Sequence, residues 1–254
     1  MEKLLADVGP VEGYLSPNEM RFLALLGSCP TAHGDVLEIG SFKGKSTIIL
    51  AKSAALAGDG MIHAVDPLTS PSETDPDLPD GESALADFRS NIERHGVAER
   101  ITLHQMLSSQ LAPSWDKKLR LLWIDGDHTY AGTRIDIESF APHVADKGIV
   151  AIHDVLHEFE GGIRIFMENI LLSPHFGACG FCGSIAWAQF RSDAEPSEEQ
   201  LRHKLWLYKK LSKLVPFIAF GRALNGLRKK QYKLYRSRIP RGAVDPAKWA
   251  ASLD

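Results

Sequence analysis

Two carboxylates end neighbouring apolar segments on either side of a glycine-rich turn. Glu38 lies near the end of DVLEI, and Asp66 directly follows MIHAV. The intervening sequence EIGSFKGKST nearly matches the phosphate-binding pattern G-x-x-x-x-G-K-[ST], but Gly40 and Gly44 enclose one residue too few. A carboxylate beside the turn favours a ligand with an amino group or positive charge, and an acid after the next strand commonly binds ribose hydroxyls. The spacing therefore favours a cationic adenosine compound over a nucleoside triphosphate.

A second group of acids and histidines follows two later apolar segments. Asp125, Asp127 and His128 stand in WIDGDH after LRLLWI, and His153 and Asp154 end the sequence GIVAIHD. Carboxylates with an imidazole suit Mg²⁺ or a similar divalent ion, which lowers the pKa of a bound hydroxyl as it does that of water. A neutral histidine would instead act as a general base. Asp127 has an alternative interpretation as the cap of the following helix.

Apolar segments that alternate with longer helical patterns position these residues. Strands separated by helical crossovers predict a doubly wound, mostly parallel α/β sheet, whose ligands bind at the carboxyl ends of the strands. The predicted strands span 35–39, 61–65, 101–105, 119–124, 148–153 and 184–190, and the predicted helices span 46–57, 84–96 and 133–144. The polar segment 67–83 is predicted to be a long loop, either a lid over the ligand or a surface insertion.

The composition is that of an ordinary globular protein. Hydrophobic residues make up 44% of the chain, and three cysteines are too few for a disulfide scaffold. No uncharged apolar run reaches the roughly 18 residues of a membrane span, and the first residues lack the pattern of a signal peptide. These features predict a cytoplasmic enzyme.

The glycine-rich turn and the later acids together resemble a known family. VLEIGSFKGKSTIILA and MIHAVDPL are similar to the first two motifs of the class I S-adenosylmethionine-dependent methyltransferases. The segment LLWIDGDHTYAGTRIDIESFAPHVADKGIVAIHDV is similar to the metal-dependent small-molecule O-methyltransferases, in particular the macrocin-type sugar enzymes. The resemblance covers about residues 10–190 and implies a Rossmann-like sheet of seven strands.

The resemblance also implies where the cofactor S-adenosylmethionine binds. Glu38 would meet the amino group of its methionine part, and Asp66 would hold the ribose. Ser108 would lie beside the adenine. The remaining residues implied to approach the cofactor are Gly40, Ser41, Gly44 and Asp125.

The same resemblance implies a catalytic group for the acceptor hydroxyl. Asp125 matches the first metal ligand of the family, and His153 with Asp154 falls where two further ligands usually stand. His128 matches the histidine base of the macrocin-type branch. Because His153 replaces an acid of the family pattern, it has two interpretations, as a neutral metal ligand or as a catalytic base.

The end of the chain is strongly basic, although the net charge of the whole protein is −3. The segment 200–241 contains 13 Lys or Arg and no Asp or Glu. We therefore predict a methyltransferase domain in residues 1–195 and a basic amphipathic helical extension in 196–254. The extension has three interpretations: a peripheral contact with the inner membrane surface, docking on the acidic body or formation of a homo-oligomer, and, less favoured, contact with nucleic acid.

These observations predict an enzyme that transfers a methyl group from S-adenosylmethionine to a hydroxyl of a small molecule. The resemblance favours a sugar or another polyhydroxylated metabolite as acceptor, with Mg²⁺ or another divalent metal. The alternative is a non-catalytic cofactor-binding or regulatory module with a tail that binds nucleic acid or membrane.

Overall fold

A sheet of seven strands forms the centre of the molecule. The computed structural model describes residues 1–69, 83–192, 195–219 and 224–253. Within these ranges the strands are β1 (Asp35–Ile39), β2 (Ile62–Val65), β3 (Ile101–His104), β4 (Leu119–Ile124), β5 (Val144–Ile152), β6 (Phe176–Cys182) and β7 (Ile185–Phe190). Their order is β3-β2-β1-β4-β5-β7-β6. Strands β1 to β5 are parallel, whereas β7 pairs antiparallel with β5 and with β6. The predicted doubly wound, mostly parallel sheet of seven strands is thereby confirmed.

Helices precede, connect and follow the strands. The first two are α1 (Glu2–Val8) and α2 (Pro17–Ser28). Between strands lie α3 (Lys45–Ala57), α4 (Leu85–Arg94), α5 (Ser108–Leu111), α6 (Tyr130–Phe140) and α7 (Glu160–Ile165), which continues as a π-helix (Phe166–Leu171). After β7 follow α8 (Glu198–Leu211), α9 (Val215–Ile218), α10 (Gly226–Arg236) and α11 (Pro246–Ala251). Strands β3, β4 and β5 are each preceded by a short 3₁₀ turn, at Ala98–Arg100, Ala112–Ser114 and Ala141–His143 respectively.

Some boundaries differ from those that the sequence predicts. Helix α6 ends at Phe140 rather than at residue 144, because Pro142 disfavours helical backbone at the residue before it and the chain turns as a 3₁₀ segment. Strand β5 consequently begins at Val144. The sequence does not predict β6, since FGACGFC is rich in glycine and cysteine and lacks the β-branched residues typical of strands.

Side chains of the central strands alternate between two helical layers. Val36 and Trp123 belong to a buried cluster with residues of α2 and α3, whereas Leu37 and Leu122 belong to a second cluster with residues of α6 and α8. Glu38 lies two residues after Val36 in β1 and therefore points toward α3. This alternation decides which side of the sheet each functional residue meets.

The C-terminal helices share these two cores. Leu207 of α8 and Tyr232 of α10 are buried in the second cluster. Trp249 of α11 lies in the first, with ring centroids 6.4 Å from Phe22 and 5.9 Å from Trp187. The predicted extension 196–254 is therefore packed against the body over the part that the structure describes.

In the ranges given above, no helix combines the length and the apolar character that crossing a bilayer requires. The predicted loop 67–83 lies mostly outside the described residues. Its two interpretations stay predictions.

Candidate active site

A cavity of about 710 Å³ opens at the carboxyl ends of β1, β2, β4 and β5. Its wall includes the glycine turn, the segments that follow β2 and β4, and an N-terminal segment at residues 12–15. Phe42, Leu68 and Asp154 all line it with positive φ angles of 45°, 53° and 53°. Such backbone is costly for residues other than glycine and often concentrates at functional sites. The cavity is therefore the main candidate for an active site among the residues described.

The glycine turn lies in contact with the loop after β4. Gly40 has φ = 87°, and a Cβ atom built on it would lie 2.1 Å from the carbonyl oxygen of Asp125. The backbone N–H of Asp125 donates to the carbonyl oxygen of Ile39 over 2.7 Å. Gly44, also at φ = 87°, precedes the first turn of α3. Only glycine fits both positions without strain. Gly40 brings bare backbone to the cavity, whereas Gly44 does not line it, and a Cβ atom on Gly44 would point at Phe88.

Asp66 fixes this turn with its carboxylate. Its Oδ2 accepts from the backbone N–H groups of Ser41 (2.7 Å) and Phe42 (2.9 Å), and its Oδ1 accepts from the backbone N–H of Leu68 (2.7 Å). Asp66 lines the cavity, as its predicted role requires. An ionised carboxylate has about four lone-pair sites, so acceptor capacity remains for ribose hydroxyls.

Glu38 lies one layer below the cavity. It is fully buried and does not line the wall, whereas its neighbour Ser41 does. Its Oε2 accepts from the hydroxyls of Thr47 (2.5 Å) and Ser41 (3.3 Å). Burial raises the pKa of Glu38 to about 7, the charge of Asp125 adds to the rise, and the neighbouring hydroxyl groups oppose it. Its observed contacts tie β1 to the start of α3.

Asp125, His128 and Asp154 form the second group of the cavity. They offer ligand atoms that all lie within 4.8 Å of one another. The Nε2 atom of His128 lies 3.9 Å from Oδ2 of Asp154, and the imidazole stacks on Phe159 with ring centroids 4.8 Å apart. The hydroxyl of Ser184 lies 3.1 Å from Oδ1 of Asp154. Two carboxylates and an imidazole at this spacing can hold a divalent cation.

His153 lines the cavity beside this group and is the most buried of these side chains. It is buried, with Nδ1 2.9 Å from Oδ1 of Asp125 and Nε2 3.9 Å from Oε1 of Glu19. Burial alone would lower the pKa of His153, but the charges of Asp125, Glu19 and Asp154 raise it well above its usual value. These neighbours favour the protonated imidazole, whereas both predicted roles of His153, catalytic base and metal ligand, need a free lone pair; both roles stay predictions. The cluster of ligand atoms within 4.8 Å contains His128 and not His153.

Glu19 completes this group of charges, although the sequence does not assign it to the site. It caps α2 together with Ser16, a pattern visible as S-x-x-E. Its Oε1 also accepts from the backbone N–H (2.6 Å) and hydroxyl (2.7 Å) of Ser184. Burial favours its neutral form, but His153, Ser16 and Ser184 together lower the pKa of Glu19. The S-x-x-E pattern predicts Glu19 as a helix cap, but it does not predict the contacts of its carboxylate with Ser184 and His153.

Ser108 lines the cavity where the adenine is predicted to bind. Its hydroxyl donates to Oδ1 of Asp136 over 2.5 Å, and burial raises the pKa of Asp136 to about 7. Asp136 also lines the cavity and is missed by the sequence reasoning. The sequence feature that points to Asp136 is an acid between two isoleucines in TRIDIESF, on the buried side of α6.

Asp127 supports the start of α6 indirectly. The N-cap is Thr129, whose hydroxyl accepts from the backbone N–H of Gly132 over 3.1 Å. Asp127 accepts from the backbone N–H (2.9 Å) and hydroxyl (3.0 Å) of Thr129. The helix is therefore capped by Thr129, two residues after Asp127, and Asp127 holds the capping residue in place.

Lys45 is the one Lys or Arg that lines the cavity within the described ranges. Its stem packs on Gly13, where an added Cβ would lie 3.1 Å from the Lys45 Cβ and Cδ atoms. Its Nζ atom lies 3.4 Å from the carbonyl oxygen of Gly13, and burial lowers the pKa of Lys45. The cation therefore has weak partners and faces a largely acidic cavity. Sequence reasoning considers Lys45 only as part of the rejected P-loop.

Comparison with known proteins relates this chain to methyltransferases. Residues 37–155 match the family model described as "Methyltransferase domain". An O-methyltransferase from Bacillus cereus in complex with S-adenosylhomocysteine has 23% identity and a TM-score of 0.55, with 75% of this chain and 90% of that chain covered. TomG from Streptomyces achromogenes, bound to S-adenosylmethionine, has 16% identity and a TM-score of 0.55, covering 75% and 87%. CalS11, a TDP-rhamnose 3′-O-methyltransferase of calicheamicin biosynthesis, has 17% identity and a TM-score of 0.53, covering 74% and 86%. These structures confirm the fold.

Proposed function

We propose that this chain, which matches the methyltransferase family model over residues 37–155, is a class I methyltransferase that transfers a methyl group from S-adenosylmethionine to a hydroxyl group of a small molecule. One observation carries the proposal. The glycine turn with Asp66 and the cluster Asp125, His128 and Asp154 open into the same cavity. Its volume of about 710 Å³ lies in the range typical of small-molecule sites.

The residues around the turn suit the cofactor. Gly40 presents bare backbone to the cavity, and Asp66 offers acceptors for ribose hydroxyls. Lys45 offers the complementary charge for the carboxylate of the methionine part. The side chain of Ser108, held by Asp136, borders the place proposed for the adenine.

The metal proposed for the family fits Asp125, His128 and Asp154 better than the set that includes His153. Their ligand atoms lie close together, and Ser184 orients Asp154 from outside the cluster. A divalent cation held there would lower the pKa of an acceptor hydroxyl. His153, 2.9 Å from Asp125, would orient that carboxylate, and its protonated form, which the neighbouring carboxylates favour, would balance the negative charge of the cluster.

Without a metal, His128 is the group placed to remove the acceptor proton. Its imidazole borders the cavity, is held by stacking on Phe159, and is only partly buried. The mechanism with a metal and the one without it both require an acceptor with hydroxyl groups. Two adjacent hydroxyls on the acceptor could bind the same divalent cation. We therefore favour a sugar or another polyhydroxylated metabolite, in line with CalS11, a TDP-rhamnose 3′-O-methyltransferase.

The first experiment measures cofactor binding by calorimetry with S-adenosylhomocysteine, with and without Mg²⁺. Hydroxylated metabolites are then screened by mass spectrometry for the gain of one methyl group. His128→Ala and Asp154→Asn should keep cofactor binding but lose turnover. Asp116→Asn, at an exposed acid before β4, is the matched control and should keep both. Absence of S-adenosylhomocysteine binding to the wild type would refute the proposal.

The alternative of a non-catalytic cofactor-binding module has a different outcome in the same experiment. Such a protein would bind S-adenosylhomocysteine, and no acceptor would gain a methyl group. Turnover that depends on His128 and Asp154 would exclude it.

A further inference from the structure

The outward face of α10 combines exposed leucines with lysines. Leu227 and Leu234 have 70% and 54% of their surface exposed. They lie seven residues apart, which places them on one face of the helix. Lys230 and Lys233 are exposed beside them. A soluble helix usually buries such leucines, so this face is apolar and cationic without an intramolecular reason.

The positive charge of α10 is mostly unbalanced. The helix itself contains no Asp or Glu. Lys229 lies 3.4 Å from Glu158, but Lys230 and Lys233 have no ion pair with any described residue. Because the whole segment 200–241 lacks acids, the surface is complementary to a negatively charged partner.

The opposite face of α10 is attached to the rim of the cavity. The buried hydroxyl of Tyr232 is shared between the carbonyl oxygens of Leu156 (2.9 Å) and His157 (2.6 Å). Arg236 donates to the carbonyl oxygen of Leu156 over 3.2 Å. His157 and Phe159 line the cavity. Whatever binds the outer face of α10 is therefore held close to the cavity entrance.

Helix α8 carries a second exposed group of the same kind. Leu205 and Trp206 have 61% and 40% of their surface exposed. Arg202, Lys209 and Lys213 are exposed on the same helix or directly after it. Tryptophan and cations beside exposed leucines are typical of helices that lie in a membrane interface.

We propose that the outer face of α10 binds an anionic lipid surface. Leu227 and Leu234 would enter the headgroup boundary, and Lys230 and Lys233 would lie at lipid phosphates. A nucleic acid would satisfy the charges but offers no apolar phase for two highly exposed leucines. The attachment of α10 through Tyr232 then places the cavity rim beside the lipid headgroups. This inference does not depend on the methyl transfer proposed above.

The test uses the full-length protein and co-sedimentation with two vesicle types, phosphatidylcholine alone and phosphatidylcholine mixed with phosphatidylglycerol. Wild type should bind only the mixed vesicles. Each lysine near an anionic surface contributes about fivefold in affinity, so Lys230→Gln with Lys233→Gln should weaken binding roughly 25-fold. Leu227→Ser with Leu234→Ser should weaken it about tenfold or more.

Matched controls carry the same substitutions elsewhere. Lys117→Gln with Lys118→Gln removes two exposed charges at the amino end of β4, and Leu56→Ser with Leu172→Ser removes two leucines that are 68% and 55% exposed. Both controls should bind vesicles like wild type, and all variants should bind S-adenosylhomocysteine equally.

Three outcomes would overturn the inference. The first is a wild-type protein that does not bind the mixed vesicles. The second is an equal effect of the α10 pairs and their controls. The third is tighter binding to a double-stranded DNA oligonucleotide than to the mixed vesicles, with loss in the lysine pair and none in the leucine pair.

Discussion

Substituting Glu38 by Gln should change how stability depends on pH. The pKa of Glu38 rises from 4.5 to about 7 because the carboxyl group is buried. The folded state therefore keeps a proton that the unfolded state releases first, so this group lowers the free energy of unfolding as pH rises from about 4.5 to about 7. At 1.36 kcal/mol per pKa unit, the full loss is about 3 kcal/mol. The neutral amide introduced by Glu38→Gln would avoid this loss.

The assay is urea unfolding followed by tryptophan fluorescence at about pH 5 and about pH 8.5. Between these values wild type should lose about 2–3 kcal/mol more than Glu38→Gln, since both proteins share every other titrating group. This is a large part of the 5–15 kcal/mol typical of a domain. Glu93→Gln, at an exposed position of α4, is the control and should follow wild type. Parallel pH curves for wild type and Glu38→Gln would refute the reasoning.

Further variants test the turn, the cofactor site and the attachment of α10. Gly40→Ala should lose S-adenosylhomocysteine binding in calorimetry, because its Cβ atom would lie 2.1 Å from the carbonyl oxygen of Asp125. The control Gly242→Ala should bind normally, since a Cβ atom built there has no described neighbour within 4 Å. Equal binding by both variants would contradict the geometry. Lys45→Met should weaken S-adenosylhomocysteine binding about tenfold but leave methylthioadenosine binding unchanged, since only S-adenosylhomocysteine has a carboxylate. A similar loss for both ligands would argue against a contact between Lys45 and that carboxylate. Tyr232→Phe should lower the free energy of unfolding by about 1–2 kcal/mol in urea titrations. The carbonyl oxygen of His157 would lose the Tyr232 hydroxyl as donor, and that of Leu156 would keep only the 3.2 Å bond from Arg236. Unchanged stability would show that the hydroxyl is not needed.

The cavity concentrates charge that the fold itself must balance. Asp125 and Asp154 are kept close together, which costs energy unless a cation lies between or beside them. The imidazole of His153, 2.9 Å from Asp125, supplies such a cation when it is protonated. The cluster borders the cavity, and His128 belongs to it.

The sequence by itself determines the frame of the site. Apolar strands with acids directly after them place Asp66 and Asp125 at the same edge of a parallel sheet, and the order of strands and helices predicts that edge as the ligand site. The glycines of the turn are equally visible, because positive φ and close backbone approach leave few alternatives. These properties depend on neighbours along the chain, so local patterns suffice to predict them.

Only the tertiary structure decides which charges meet. Glu19 reaches His153 from a helix far away in the sequence, and that contact, with Asp125, favours the protonated form of the buried imidazole. The same packing leaves His128 in the cation cluster and sets Glu38 below the cavity against α3. Protonation and accessibility depend on the distances between side chains brought together by folding, and the sequence pattern contains no measure of those distances.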